Sequence, residues 1–368
     1  MKEVAIKDIC EKGSSALKQK ELLSEGKYPV YGASGIAGYL DSYQQENEYI
    51  GIVKDGSGIG RVAFYPEKTS LIGTMQYILP KKGYNIRYIG YCLQSLDLSK
   101  YKQGAAIPHI YFSDYGERVV KVTSDVQEQN TIVERLDVAF TKIDALRNNA
   151  EKQLAEARAL FYRALSEKLL PKEGWNKYTI ADICKSATYG TSSPSNDNGR
   201  YKYLRMNNIN TDGSLNLNNL KTIDIPDKEL EKYLVRKGDL LFNRTNSPEL
   251  VGKSCVFDRE EEMIIAGYII RIRIKDGFDP YFVCYFINLQ RQIGNLKPLI
   301  VGAVHQANIS ATAIKSLEIH CPPLAVQKLI VSQLDVLSVN VRKMEDILHK
   351  TQTECDAVKQ AMLKKVFE

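Results

Sequence analysis

The sequence predicts an α+β protein made of two α/β domains, each followed by one long helix. Residues 5–10 (AIKDIC) are similar to residues 179–184 (TIADIC), at an offset of 174. The chain is therefore predicted to be an internal pseudo-twofold repeat with different loops on two matched scaffolds. Six further residues recur at a constant offset of 198: Gln129, Ile132, Val133, Leu136, Asp137 and Val138 as Gln327, Ile330, Val331, Leu334, Asp335 and Val336.

The repeat divides the 368 residues into four segments. A chain of this length can form two domains with cores of their own. We predict a first domain at 1–125, a first long helix at 126–170, a second domain at 171–323 and a C-terminal long helix at 324–368.

In the first domain, short alternating segments at 49–53, 61–65 and 76–79 predict strands. The loop at 54–61 contains three glycines, as a dinucleotide-binding loop does. However, Arg61 stands where the third glycine of that fingerprint belongs, and no helical pattern follows. The loop is therefore predicted to join the two strands of a hairpin.

The second domain follows the same plan, with predicted strands at 239–242, 254–257 and 269–274. A polar loop at 243–253 is the counterpart of the glycine-rich loop. The offset between the halves grows from 174 to 198, so the second half carries about 24 extra residues.

The segments 131–170 and 329–368 lack glycine and have apolar residues spaced alternately by four and three. Each helix would be about 60 Å long at 1.5 Å per residue, which exceeds one domain of this size. We predict that the two helices pair with each other as an antiparallel coiled coil; the alternative is that each packs on its own domain. The residues predicted to pair are Leu136, Ile143, Leu146, Leu160, Leu334, Val341, Met344 and Val358.

Composition limits the possible functions. The net charge of +6 permits a nucleic-acid partner without requiring one. Seven single cysteines without Cys-x-x-Cys spacing argue against disulfides and a zinc site, and the histidines lack metal-ligand spacing. No P-loop is present. No apolar run of 18 residues and no signal peptide is evident, so we expect a cytoplasmic, nucleoid-associated protein without a membrane partner, metal or bound cofactor.

Polar side chains are concentrated in loops at matched places of the two domains. Arginine, asparagine and glutamine can pair with base edges, whereas lysine, serine and threonine commonly contact phosphates. An asparagine-rich loop can also be a simple turn. The predicted DNA contacts are Lys54, Ser57, Arg61, Arg205, Asn207, Asn208, Asn243, Arg244, Thr245, Lys253, His305, Gln306 and Asn308.

Several segments resemble the specificity subunits of Type I restriction–modification systems, over essentially the whole chain. Segments 27–35 (KYPVYGASG) and 52–61 (IVKDGSGIGR) are typical of the first target-recognition domain of that family. Segments 203–209 (YLRMNNI) and 237–244 (KGDLLFNR) are similar to the second. The sequence CPPL at 321–324 matches the start of the conserved helix.

The resemblance implies a non-catalytic subunit that recognises a two-part sequence in double-stranded DNA, one part per domain. It also implies two modification (methyltransferase) subunits that carry S-adenosylmethionine, and restriction subunits that use ATP and magnesium. Two alternatives remain at this point. One is a coiled-coil adaptor for protein partners, and the other is the detached recognition module of a fused restriction–methylation enzyme.

Overall fold

The structure is a computed structural model that describes residues 1–104, 108–303 and 306–368. The chain divides into two compact units. Unit 1 comprises residues 1–151 and 347–368, and unit 2 comprises residues 152–346. Each unit therefore includes a globular domain and part of both long helices.

Unit 1 contains nine strands, three short α-helices and parts of both long helices among the described residues. The strands are β1 (Lys2–Ala5), β2 (Cys10–Ser14), β3 (Tyr28–Gly32), β4 (Gly35–Leu40), β5 (Tyr49–Val53), β6 (Val62–Tyr65), β7 (Ser70–Leu71), β8 (Met75–Pro80) and β9 (Val119–Val122). The helices are α1 (Ile6–Ile9), α2 (Ile86–Ser95), α3 (Phe112–Gly116) and the long α4 (Val126–Leu169).

Unit 2 repeats this content with additions. The strands are β10 (Asn176–Thr179), β11 (Cys184–Tyr189), β12 (Tyr201–Leu204), β13 (Lys221–Ile223), β14 (Leu234–Val235), β15 (Leu240–Asn243), β16 (Thr245–Asn246), β17 (Ser254–Val256), β18 (Met263–Ile265), β19 (Ile269–Ile274), β20 (Val301–Ala303), β21 (Gln306–Asn308) and β22 (Glu318–Cys321). The helices are α5 (Ile180–Ile183), α6 (Asp227–Tyr233), α7 (Pro280–Gln292), α8 (Ala311–Lys315) and the long α9 (Leu324–Phe367).

The main sheets of the two units have the same strand order. In unit 1 the order is β2-β8-β5-β6, and in unit 2 it is β11-β19-β15-β17, with all neighbours antiparallel. In a smaller sheet, β3 pairs antiparallel with β4 and parallel with β7, as β12 does with β13 and β18. The repeat predicted from short sequence matches is therefore a repeat of topology.

The recurring glutamines attach each long helix to its own domain. Gln129 is fully buried; its Oε1 accepts from the Asn85 backbone N–H at 2.7 Å, just before α2. Gln327 is 1% exposed and accepts in the same way from the Asp279 N–H at 2.8 Å, just before α7. A buried backbone donor needs such a partner, which explains why these two glutamines recur.

The recurring aspartates make a second attachment. Tyr91 donates its hydroxyl to Asp137 in unit 1, and Tyr285 donates to Asp335 at 2.6 Å in unit 2. Each tyrosine lies on the short helix that the neighbouring glutamine holds, so that helix is fixed at two points.

Burial along the long helices corrects part of the predicted heptad pattern. Leu136, Leu334 and Val341 are buried, Ile143 and Met344 are half-buried, but Leu146, Leu160 and Val358 are 61%, 56% and 48% exposed. In α4 the predicted column with Leu136 and Ile143 is right, and the column with Leu146 and Leu160 lies one residue further along the chain. In α9 the same shift is only partial, because Val358 is exposed but Met344 is half-buried. The residues of this corrected column are Phe140, Arg147, Leu154 and Phe161 in α4, with Ser338, Glu345, Gln352 and Lys359 in α9.

Polar contacts join parts of α4 and α9 within each unit. In unit 1, Lys359 Nζ lies 2.7 Å from Asp144 Oδ1. In unit 2, Arg158 Nη2 lies 2.6 Å from Glu345 Oε1, and Lys168 donates to Gln333 at 2.6 Å. Arg158 contacts Glu345, and Lys168, which lies later in α4, contacts Gln333, which lies earlier in α9. Those helix segments of unit 2 therefore run in opposite directions.

One long helix is apolar enough to meet a composition test for a membrane span. An 18-residue window of α9 has a mean hydropathy of 1.3. A core helix of a globular protein meets the same test, and this window contains buried Leu334 and the buried polar residue Gln327. The expectation that no membrane partner exists stays a prediction.

Candidate nucleic-acid interface

The loops that follow the two central strands differ in length but can be aligned at their first and last residues. The Gly60 N–H donates to the Val53 carbonyl at 2.8 Å, and the Gly252 N–H donates to the Asn243 carbonyl at 2.8 Å. These bonds close a loop of residues 54–60 in unit 1 and of residues 244–252 in unit 2. Lys54 therefore corresponds to Arg244, and Arg61 corresponds to Lys253.

The loop of unit 1 is a hairpin connection, as predicted, because β5 and β6 pair antiparallel on either side of it. Gly56, Gly58 and Gly60 have φ angles of 78°, 82° and 82°, which favour glycine. A Cβ at Gly60 would also lie 2.7 Å from the backbone nitrogen of Ser99. The glycines thus shape a tight loop that leaves Ser57 exposed and Lys54 half-buried.

Arg61 closes this loop on its exposed side. Its guanidinium donates to the carbonyl of Ala33, in the two-residue turn between β3 and β4. The side chain remains exposed to solvent, so it could also approach a phosphate.

Lys253 occupies the corresponding position but is only 6% exposed. Its Nζ donates to the carbonyls of Ile209 at 2.6 Å and Met206 at 3.3 Å. Burial lowers the pKa of this ammonium, and the charge of Arg291 lowers it further. The expectation that Lys253 contacts a DNA phosphate therefore does not hold in this structure.

The cause is the length of the neighbouring connection. Only residues 33–34 join β3 to β4, whereas residues 205–220 join β12 to β13. Part of the extra length of the second half thus forms a cover over Lys253. A lysine ammonium can bind a phosphate, but that of Lys253 already donates hydrogen bonds to carbonyls of the 205–220 connection.

Three more predicted contacts are interior side chains. Asn208 is 2% exposed; its amide accepts from the Arg205 N–H and donates to the Asn216 carbonyl, both at 2.8 Å. Asn243 is fully buried, and its Oδ1 accepts from Asn246 at 2.9 Å. Thr245, 3% exposed, is the third. Like Lys253, these residues shape the loops of unit 2 rather than facing a ligand.

Arg244 is a basic residue of the second domain whose side chain is held in place by an aromatic ring. Its guanidinium lies over the ring of Tyr189, 5.0 Å from the centroid, and its Nε is buried without a hydrogen-bond partner in the described part of the chain. Stacking on an aromatic ring restricts the rotamers of an arginine and orients its fork of donors. Arg244 is half-buried, and Tyr189, on which it stacks, is exposed.

The remaining predicted residues flank this position. Asn207 and Gln306 are exposed, and Arg205 is half-buried with Nη2 donating to the Asn219 carbonyl at 3.3 Å. Asn308 accepts the hydroxyl of Thr245 at 2.6 Å. His305 lies outside the described residues.

A side-chain pair in unit 1 was not found from the sequence. The imidazole Nδ1 of His109 donates to Asp55 Oδ1, and residues 55 and 109 form an isolated antiparallel bridge. The two residues are 54 positions apart in the chain, so no local pattern could have indicated the contact.

Among the described residues, no group of three or more His, Cys, Asp or Glu side chains could hold a metal ion. All seven cysteines are buried and unpaired by disulfides. Burial raises the pKa of the Cys10 and Cys284 thiols to about 12. The candidate interface consists instead of loops with basic, amide and aromatic side chains.

The profile of the Type I restriction modification DNA specificity domain matches residues 1–156 and 172–350. The chain belongs to this family. The two matched stretches contain the two globular domains, and the resemblance inferred from the sequence is confirmed.

Two curated relatives illustrate the similarity. The MjaX type I restriction enzyme specificity subunit of Methanocaldococcus jannaschii is 29% identical over 202 residues, or 53% of this chain and 46% of the relative. The EcoKI specificity subunit of Escherichia coli K12 is 23% identical over 256 residues, or 65% and 55%. The chain thus spans about half the length of these relatives. Both carry the name of a specificity subunit.

A solved structure described as showing complex assembly and conformational transition of the type I R-M system has the same fold. The TM-score is 0.70 at 15% identity, with 99% of this chain and 96% of the other covered. At this identity the likeness concerns the fold alone. It supports the mixed α/β architecture with two specificity domains.

Proposed function

We propose that this chain recognises a two-part sequence in double-stranded DNA, one part per unit, and directs partner subunits to it. The observation that carries this proposal is the repeated sheet, β2-β8-β5-β6 and β11-β19-β15-β17, with different loops at equivalent positions. Rigid strands that carry variable loops are a common basis for recognition. Two such surfaces suit two unlike half-targets.

The loops supply suitable chemistry for DNA. Lys54, Ser57 and Arg61 in unit 1 and Arg205, Asn207, Arg244 and Gln306 in unit 2 are the exposed or half-exposed residues proposed to contact it. A half-buried arginine over an aromatic ring, such as Arg244, has the donor fork that guanine O6 and N7 accept. The half-buried Lys54 and the exposed Ser57 suit phosphates.

The two long helices are proposed to act as a spacer. Opposite chain directions within unit 2 and cross-helix ion pairs such as Lys359–Asp144 favour an antiparallel coiled coil. Inserting one heptad into each helix should lengthen the spacer by about 10 Å. The gap between half-targets should then grow by about three base pairs of duplex; an unchanged gap would contradict the spacer.

Membership of the family supports a proposal about the partners. We propose two modification subunits, because a repeated chain offers two equivalent docking surfaces to two identical partners. Restriction subunits would join them, with S-adenosylmethionine, ATP and magnesium bound by the partners and none by this chain. The complex would act in the cytoplasm, at the nucleoid.

The test is long-read sequencing of methylated bases in host DNA, with and without the gene for this chain. A methylated two-part motif that disappears with the gene supports the proposal. Replacing residues 1–125 by the corresponding domain of a relative should change one half of the motif and leave the other intact. A replacement that alters both halves would contradict independent recognition, and the isolated chain should methylate no DNA.

A further inference from the structure

In both units, a second segment of chain lies against the central loop at equivalent positions. This second segment contains residues 109–110 in unit 1 and residues 308–309 in unit 2. The Ile110 N–H donates to the Lys54 carbonyl at 3.0 Å, and the Ile309 N–H donates to the Arg244 carbonyl at 2.9 Å. The acceptors are the two corresponding basic residues. The second segment is therefore hydrogen-bonded to the backbone of the residue proposed to contact DNA.

The next position along each loop makes a side-chain bridge to the same segment. In unit 1 the His109 imidazole donates to the Asp55 carboxylate. In unit 2 the Thr245 hydroxyl donates to Asn308 Oδ1 at 2.6 Å. Both pairs lie directly opposite each other in antiparallel pairings, where side chains are close enough to interact.

On its other side, each second segment pairs with a further stretch of chain. His109 pairs with Gln103 in unit 1, and Asn308 pairs with Val301 in unit 2. Three stretches of chain thus lie side by side in each unit, and the bridge joins the central one to the loop. The Asp55 and His109 side chains are 23% and 25% exposed, and the imidazole also contacts the ring of Tyr111 at 4.0 Å.

We propose that Asp55–His109 and Thr245–Asn308 are equivalent positioning pairs. Each one holds the second segment against the loop that begins with Lys54 or Arg244, so that the two segments contact one half-target together and distinguish its sequence only in that arrangement. The pairs differ in chemistry but occupy the same backbone positions, so one pair should be able to replace the other. This inference rests on the proposed recognition of a two-part DNA target.

The experiment measures the methylated motif in cells that carry the chain with its modification subunits. Asp55→Ala and His109→Ala should each lower discrimination against a mismatched first half-target by about tenfold, with the second half unaffected. Thr245→Val, which removes the hydroxyl and keeps the shape, should relax only the second half. Thermal melting of each purified variant separates loss of fold from loss of positioning.

The deciding variant is the exchange Asp55→Thr with His109→Asn, which imports the pair of unit 2. It should restore first-half discrimination that either alanine variant loses. Glu117→Gln is the matched control, since it breaks an exposed ion pair with Lys7 (2.6 Å) that also joins distant segments of unit 1.

Three outcomes would overturn the inference while the wild-type motif stands. These are unchanged discrimination in the alanine variants, relaxation of both halves together, or an exchange variant that folds but stays as relaxed as the single variants. A wild-type chain that yields no two-part motif would instead overturn the proposed function, and the inference with it.

Discussion

The residues that close the two central loops occupy the same place in two sheets of the same strand order, yet they differ in exposure. Arg61 is exposed and donates to the carbonyl of Ala33. Lys253 is 6% exposed and donates to Ile209 and Met206. In both units the cation binds the connection beside the loop, and the longer connection of unit 2 buries it.

This difference separates two roles that a basic loop residue can have. A cation with an accessible head can contact DNA, whereas one that satisfies buried carbonyls holds the loop in shape. In both units the closing cation therefore binds the neighbouring connection. The length of that connection determines whether the cation is also exposed to solvent.

The largest expected effect concerns the long helices. Phe161 is 8% exposed and its neighbour Leu160 is 56% exposed. Phe161→Ala should lower the free energy of unfolding by about 3–5 kcal/mol, because it leaves a cavity. Leu160→Ala should change it by less than about 0.5 kcal/mol. Denaturant unfolding of both variants measures this, and a larger loss for Leu160 would favour the original heptad assignment.

The next effect tests the equivalence of the scaffolds. Gln129→Ala and Gln327→Ala should each cost about 3 kcal/mol, since each leaves a partly buried backbone N–H and a buried carbonyl without partners. The controls Gln127→Ala and Lys328→Ala alter exposed positions of the same helices. Thermal or denaturant unfolding should give similar losses for the two glutamines. A loss in one unit alone would break the structural equivalence.

Much of this scaffold could be predicted from the sequence. The segments 131–170 and 329–368 were predicted as helices, and the structure has helices Val126–Leu169 and Leu324–Phe367. The glycine-rich loop was correctly predicted as a hairpin connection. These features depend on local patterns, which periodicity and turn residues record directly.

The heptad phase could not be predicted in full because the corrected column contains half-buried charged residues in both helices, among them Arg147 in α4. Lys359 and Glu345 occupy it and form ion pairs with Asp144 and Arg158. The Lys359 ammonium also lies over the ring of Phe140, 5.3 Å from its centroid, while it remains paired with Asp144. In α4, the apolar Leu146 directly precedes Arg147 of this column and therefore gave a misleading signal.

The candidate site was harder to predict because it depends on contacts between distant segments. Lysine and asparagine side chains can bind DNA. However, Lys253 and Asn208 donate hydrogen bonds to backbone carbonyls of the 205–220 connection instead. The bridge between Asp55 and His109 likewise joins residues 54 positions apart. Residue type indicates what a side chain could bind, whereas burial decides what it can reach.

A third prediction sharpens the comparison between the closing residues. Lys253→Ala should cost about 2–4 kcal/mol of stability through a cavity and two carbonyls without donors. Arg61→Ala should cost less than about 0.5 kcal/mol. Conversely, only Arg61→Ala should lower the salt dependence of DNA binding, by about one unit of slope. A folded Lys253→Ala protein with a reduced slope would show that the lysine does contact phosphate.

The smallest effects distinguish the corresponding residues Lys54 and Arg244. Arg244→Ala should weaken DNA binding by about 1–3 kcal/mol and relax one position of one half-target, if its stacked guanidinium contacts a base edge. Arg244→Lys should not restore that position, because an ammonium lacks the planar fork. Lys54→Ala should instead weaken binding to all sequences about equally, with a change of about one unit in salt slope.

Binding titrations at several salt concentrations, beside thermal melting, separate these cases. An Arg244→Ala protein that melts normally and binds its target with unchanged affinity and sequence preference would remove Arg244 from the interface. A Lys54→Ala protein that relaxes one base position would mean that both corresponding residues contact bases. The two loops would then differ in their closing residues but not in the use of their first residues, because the same backbone bonds hold Lys54 and Arg244 in equivalent positions.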